Sequence, residues 1–95
     1  MDLTMTVAVV LDVPGGTEQQ YDQIAAMVFP EGKLPGGWLL HVAGPIQNGW
    51  RVVNVVSSRE EFEAFSRERV EPAAEKVGDP PAQVTFFPVH NLIRN

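Results

Sequence analysis

Hydrophobic and polar positions along this chain switch period repeatedly, and the switches predict strand, helix, strand, strand, helix, strand. From Thr4 to Val13, the apolar residues Val7, Val9 and Leu11 alternate with Thr6, Ala8, Val10 and Asp12, and Pro14-Gly15-Gly16 stops the run. This is the first strand. Thr17 stands where a helix N-cap belongs, and Gln20, three positions on, completes a capping-box spacing. Tyr21, Ile24, Ala25 and Val28 then recur at i, i+3, i+4 and i+7, forming one apolar stripe that should lie on a sheet. Phe29-Pro30 ends the helix, because the residue before a proline is driven out of the α region. Residues 31–37, with Pro35-Gly36-Gly37, read as a mobile loop.

Trp38 to Ala43 is the second strand and Trp50 to Val56 the third, with Asn48-Gly49 between them as a hairpin signal, so the two should pair antiparallel. Ser57 or Ser58 opens the second helix, where Glu60, Glu61 and Glu63 suit the positive end of its dipole. Phe62, Phe65, Ala73 and Val77 share its buried face. Pro72 falls inside this pattern and predicts a kink, or a separate turn starting near it, because proline lacks a backbone donor and crowds the preceding turn. Gly78-Asp79-Pro80-Pro81 ends the helix. Gln83 to Ile93 is the last strand, and Pro88 within it marks a sheet edge.

Strand-helix-strand twice over, with a hairpin between the halves, predicts an α+β, ferredoxin-like βαββαβ fold: a four-stranded antiparallel sheet with both helices on one face. The other face is left uncovered. With an even hairpin loop, Leu40 and Val42 share a side with Val53 and Val55, and this uniformly aliphatic group is expected toward the helices. Leu39, His41, Ala43, Val52, Asn54 and Val56 then fall on the uncovered side, together with Thr6, Ala8, Val10 and Asp12. His41 and Asn54 meet there, opposite or diagonal to each other, looking into a cavity that a second copy of the chain would close.

Composition narrows the classes. The 95 residues suit one domain over 1–95, and a domain this small buries a limited share of its surface, which favours dimerisation. No apolar run approaches the roughly 20 residues that span a bilayer. The opening Met-Asp-Leu-Thr-Met-Thr has no basic n-region, so a cytoplasmic protein is expected. Absence of cysteine excludes disulfides, thiolate nucleophiles and cysteine-held metals. A net charge of −5, with the basic residues scattered, argues against nucleic acid.

Four segments resemble a known group: Val13-Pro-Gly-Gly-Thr-Glu-Gln-Gln-Tyr21, Leu40-His-Val-Ala-Gly-Pro45, Gly49-Trp-Arg-Val-Val-Asn-Val55 and Phe86-Phe-Pro-Val-His-Asn91. They look like the dimeric α/β-barrel superfamily, which includes the antibiotic-biosynthesis-monooxygenase-like proteins, and the likeness covers nearly the whole chain. It implies a homodimer that packs bare sheet faces together, with a pocket between sheet and helices or on the sheet's inner face. Enzymes of that superfamily that work without a cofactor typically use an asparagine in the first strand, a tryptophan in the third and often a helical histidine. Here the first strand offers Thr6, Ala8 and Val10, the third has Val53, Val55 and Val56 where a pocket tryptophan would sit, and neither helix has a histidine.

The candidate ligand-binding residues are His41, Asn54 and His90. His41 suits a general base or ligand anchor, or else a histidine bonded at an interface. Asn54 could hold a ligand carbonyl or hydroxyl, and His90 could reach a partner's cavity or lie exposed. Two histidines without ligand spacing make no metal site, and no cofactor is expected. Trp38 and Trp50 border the hairpin as lids or buried anchors, and Tyr21 reads as core packing with its hydroxyl at the rim. Pro14-Gly-Gly-Thr17 lacks phosphate-loop spacing and a lysine, so it is a turn into a capped helix. Glu63 and Arg67 have the spacing of an i,i+4 pair.

Three functions fit. The chain is a homodimeric binder of a small apolar or aromatic ligand, an oxygenase or isomerase acting on such a compound without a metal, or a dimerisation module with a filled interior.

Overall fold

A computed structural model describes residues 2–95. Strands β1 (Val7–Pro14), β2 (Trp38–Ile46), β3 (Gly49–Val56) and β4 (Gln83–Pro88) form an antiparallel sheet in the order β2-β3-β1-β4. Helix α1 (Glu18–Val28) follows β1, while α2 (Arg59–Phe65) and α3 (Glu71–Val77) follow β3. This is the α+β, ferredoxin-like arrangement with a four-stranded sheet. Among the described residues, no helix is long and apolar enough to cross a membrane.

The local rules hold with some redirection. The Thr17 hydroxyl accepts the Gln20 amide at 3.1 Å; the Gln20 side chain returns to the cap through its Oε1, which accepts from the Thr17 hydroxyl at 3.2 Å, and its Nε2 donates to the Gly78 carbonyl at 3.2 Å. That bond ties the start of α1 to the end of α3. Ser58, rather than Ser57, caps α2 by accepting the Glu61 amide, and Ser57 donates to the Glu61 carboxylate. In the hairpin, Ile46 faces Gly49 across Gln47 and Asn48, an even loop, with Asn48 at φ 61°. A side chain at Gly49 would run into the Val13 carbonyl of β1, so glycine is what lets β3 swing close at this corner.

Pro72 is accommodated without a sharp kink. Between α2 and α3 the chain makes a wide π turn over Ser66–Val70, in which the Glu71 amide bonds the Ser66 carbonyl five residues back. Pro72 then sits in the first turn of α3, where its missing donor costs nothing. The π turn also undoes the expected Glu63–Arg67 pair by turning the helix off its i,i+4 line. Glu63 instead pairs with Arg59 at 3.4 Å.

Three strand ends differ from expectation by three residues or more, and β2 runs on past Ala43 to Ile46. β1 begins at Val7 because the Thr6 amide is used in a turn back to Leu3 at 3.0 Å. β4 is an edge strand, as Pro88 predicts, but it stops at that proline and does not run on to Ile93. The chain beyond leaves the ladder, and the Arg94 guanidinium donates to the Leu39 carbonyl at 3.1 Å, at the opposite edge.

Faces decide where a site can form, and here the reading of β2 and β3 is corrected. His41 does lie directly across from Asn54, and Asn54 across from Val9. Yet this row faces the helices, since His41 touches Tyr21 and Phe29 of the α1 region. The side away from the helices carries Leu40 and Val42 from β2, Val53 and Val55 from β3, Ala8 and Val10 from β1, and Phe87 from β4, and of these Ala8 and Val55 are buried, at 3% and 7% exposed. Val42 is 50% and Phe87 52% exposed there. The aliphatic group that looked like core is thus the outer face, and a β-bulge at Leu39 puts Trp38 and His41 on one side although three positions separate them.

On the helix side the core has two parts. Val9, Trp38, Val56 and Phe62 join α2 to the sheet, while Ile24, Val28 and Ala73 join α1 to α3. Phe29 and Phe65 pack against both. Helices α1 and α3 hold each other but stand off the sheet, and the space beneath them is the cavity.

Candidate functional site

The cavity has a volume of about 500 Å³, enough for a drug-sized molecule. The apolar stripe of α1 forms its roof, with Tyr21, Ile24, Ala25 and Val28 all on its wall. Its floor is the helix-side row of the sheet, including Leu11, Val52, His41 and Asn54. Trp38 and Phe62 wall one part, and Trp50 and Val13 another. A single chain encloses this space, so the expectation of a cavity on the uncovered side, closed by a second copy, is replaced by one between sheet and helices. The cause is the side on which the His41–Asn54 row falls.

At its centre lies a hydrogen-bonded chain of three side chains. Asn54, 3% exposed on the central strand β3, places its Oδ1 2.6 Å from His41 Nδ1. His41 Nε2 lies 2.5 Å from the Tyr21 hydroxyl. An amide oxygen only accepts, so Nδ1 carries the imidazole proton and Nε2 presents its lone pair to the Tyr21 O–H, which donates. The rings support this line: Tyr21 stacks on His41 with centroids 5.9 Å apart and planes 12° from parallel, and Phe29 packs against the imidazole at 4.8 Å. Burial, and next the neighbouring Asp22 carboxylate, push the Tyr21 phenol above its ordinary 10.0, so at neutral pH it is a donor.

This arrangement can move a proton. A ligand proton delivered to the Tyr21 oxygen would be matched by transfer of the Tyr21 proton to His41 Nε2, and Asn54 would hold the resulting imidazolium in place. Through this line His41 can act on a ligand by way of Tyr21.

Of the three residues named from sequence, His41 and Asn54 are brought together and line the cavity. His90 is exposed, beyond β4, and is not on the cavity wall. The sequence marks Tyr21 as a packing residue with its hydroxyl at the rim, and Trp50 as a lid or a buried anchor. Tyr21 sits on the inward stripe with a hydroxyl that needs a partner. Trp50 belongs to β3, where it shares its side with Asn54, so the third strand does present a tryptophan to the pocket. Trp50 is 8% exposed and its indole N–H is buried without a partner. Such a donor is costly to leave unpaired.

Glu71 and Glu75 of α3 and Asp79 beyond it lie at the cavity wall, whose lining holds no lysine or arginine among the described residues. No three side chains among the described residues gather closely enough to hold a metal ion. Burial pushes the Asp79 carboxyl above its ordinary 3.8. The folded chain then keeps this proton to higher pH than the unfolded chain does. The associated stability is complete below that ordinary value and drains away as pH rises through the folded value. Asp79→Asn is expected to raise the unfolding midpoint at pH 7 and to leave it unchanged near pH 3, as measured by thermal denaturation at both pH values. An equal shift at both would refute burial of the charged form as the cause.

No family model and no curated protein matches the sequence. Solved structures do match it over nearly its full length. SnoaB, a cofactor-independent oxygenase from Streptomyces nogalater, superposes with a TM-score of 0.61 at 13% identity, over 95% of this chain and 97% of that one. A provisionally assigned antibiotic biosynthesis monooxygenase from Chloroflexus aurantiacus gives 0.65 at 16% identity, over 94% and 97%. A conserved protein from Methanosarcina mazei gives 0.66 at 9% identity, over 87% and 91%. With near-complete coverage at TM-scores above 0.6, the fold of this chain is that of the antibiotic-biosynthesis-monooxygenase-like proteins.

Proposed function

We propose that this chain is a cytoplasmic, homodimeric protein that binds a flat, largely apolar, oxygen-bearing small molecule between its sheet and its helices. The observation that carries this reading is the cavity with an internal polar line, Tyr21–His41–Asn54, set in apolar walls. A cavity of that kind matches the usual anatomy of ligand sites, in which a few polar groups fix orientation inside an apolar pocket. His41 and Asn54 act as site residues, Tyr21 is the group that touches the ligand, and the Trp50 ring forms part of the wall. His90 has no part in this cavity within one chain. The homodimer rests on the uncovered aliphatic face, which a second copy would cover.

The same polar line favours one chemical reading over the other sequence-level alternatives. A phenol held against a basic imidazole nitrogen suits removal of a proton from a phenolic or enolic compound, the first step required before dioxygen attacks a flat aromatic ring without a metal. SnoaB is a cofactor-independent oxygenase of the same fold, and fold analogy adds only a modest weight. The test is oxygen consumption with a panel of hydroxylated naphthalenes, alongside native mass spectrometry for subunit count and retained ligand. Tyr21→Phe is expected to keep ligand binding and lose turnover, and His41→Ala to lose roughly 100-fold or more of the rate, within the usual range for acid–base groups. Binding without turnover in the wild type would leave a binding protein and remove the oxygenase reading. A wild type that binds none of the panel would remove both.

A further inference from the structure

The sheet side away from the helices is not evenly bare. Val42 and Phe87 are half exposed there, but Ala8 and Val55, neighbours across β1 and β3, are only 3% and 7% exposed, and Thr6, one position ahead of β1, is 3% exposed. No helix lies on this side to enclose them. The segment 89–95 does so. Leaving β4 at Pro88, it is tied beside the start of β1, where the Val89 amide donates to the Thr6 carbonyl at 3.0 Å, and again at β2, where the Arg94 guanidinium donates to the Leu39 carbonyl. In the strand order β2-β3-β1-β4, β3 lies between those two anchors, so the segment has to cross the end of β3 that carries Val55. On the helix side this end is already filled by Trp38, Val56 and Phe62, which leaves the open side for the crossing. Along it Val89 and Leu92 are half-buried, and Ile93 is 84% exposed. The segment is a strap over one end of an apolar face.

Resting on the homodimer reading, we propose that this strap competes with a second copy of the chain for the face. With the strap down, one chain seals its own Ala8–Val55 end; with it lifted, the partner covers that end. The surface beneath favours a second copy as the competitor. Leu40, Val55, Ala8 and Phe87 form one cross-strand row, and Val42, Val53 and Val10 continue it, so the lifted strap exposes an unbroken apolar surface that reaches to the Asp12–Arg51 pair. Such a face is complementary to itself across a two-fold axis. The strap holds only by one hydrogen bond at each end and two half-buried side chains, a modest grip in water. Each dimer has to lift two straps, so whatever loosens the grip counts twice in association.

Sedimentation equilibrium of three full-length chains tests this: the wild type, Arg94→Ala, which frees one anchor and keeps every apolar residue, and Leu92→Gly/Arg94→Ala, which also removes a half-buried grip. Faster hydrogen exchange at the Val89 amide marks the release. Arg94→Ala is expected to tighten association roughly tenfold, two weakened straps each contributing about the worth of one hydrogen bond, and the double variant should tighten it further. Equal or weaker association of both variants, with a dimeric wild type, overturns the competition and leaves the homodimer standing. Three chains that all stay monomeric at every concentration remove the homodimer, and this inference with it.

Discussion

Trp38→Ala is expected to cost the fold about 3–5 kcal/mol, the range for removing a large aromatic side chain from a packed core. Trp38 is 8% exposed and belongs to the cluster that binds α2 to the sheet. Its indole meets Phe65 at 5.1 Å, Phe29 at 5.7 Å and Phe62 at 5.9 Å, so one side chain touches aromatics on both sides of the helical layer. The space it leaves would open into the cavity next to it, so the neighbouring rings have little reason to collapse inward. Against a total stability of about 5–15 kcal/mol for a native domain, such a loss is a third or more of what there is. Urea denaturation at fixed protein concentration reads it as a lowered midpoint with an unchanged slope. Trp50→Phe is the control. Trp50 is equally buried, but its N–H has no partner to lose, so a volume-similar aromatic there should cost less than about 1.5 kcal/mol. Equal losses at the two positions would show that Trp38 does not hold the two halves of the core together.

The contrast between these tryptophans also shows what the sequence made legible. Element order, both helix N-termini, the even hairpin and the pairing of His41 with Asn54 all follow from short-range rules: caps, turns and period-2 alternation. The edge position of β4 follows from the chemistry of a single proline. The side of the sheet that His41 and Asn54 occupy is a different kind of quantity. β3 reads Val52, Val53, Asn54, Val55, Val56, apolar at every position but one, so alternation carries almost no information about which side is covered. Of an all-aliphatic set and a set containing a histidine and an asparagine, polarity alone favours the drier one for the core. Aromatic volume pointed the other way. Trp50 has the parity of Asn54, and a residue that large seldom faces outward on a small domain. The bulge at Leu39 hid the same message from Trp38, because it breaks the count between Trp38 and His41. Tyr21 was legible as a member of the inward stripe, but its hydroxyl acquires a meaning only when the sheet row beneath it is known. The π turn, which depends on how the chain accommodates Pro72 in three dimensions, had no local signature beyond that proline.

The same correction makes the assembly easier to test, because the residues proposed to meet a second copy are now separate from those that line the cavity. Val53→Glu is expected to convert the homodimer to a folded monomer. Val53 sits on the inner strand β3 between Val42 and Val10, in the middle of the uncovered row. Around it lie Leu40, Val55, Ala8 and Phe87, while the Asp12–Arg51 ion pair at 2.6 Å forms a polar border at one end. A glutamate at that centre would be trapped against aliphatic side chains of the partner, while Arg51, the cation on the same face of β3, is already held by Asp12. Breaking a buried charge balance by one unpartnered group costs about 3–5 kcal/mol, and a two-fold interface would contain two of them. At about 1.4 kcal/mol per factor of ten, association should weaken at least 100-fold. Within one chain the substituted side chain points to solvent, away from the helices, so far-UV circular dichroism and ligand binding in the cavity should survive. Native mass spectrometry at micromolar concentration distinguishes the outcomes. A wild-type dimer that becomes a variant monomer supports the uncovered face as the interface, and a variant that stays dimeric places the contact elsewhere. A monomeric wild type would remove the homodimer altogether, yet the Tyr21–His41–Asn54 line, enclosed by one chain, would stand unaffected.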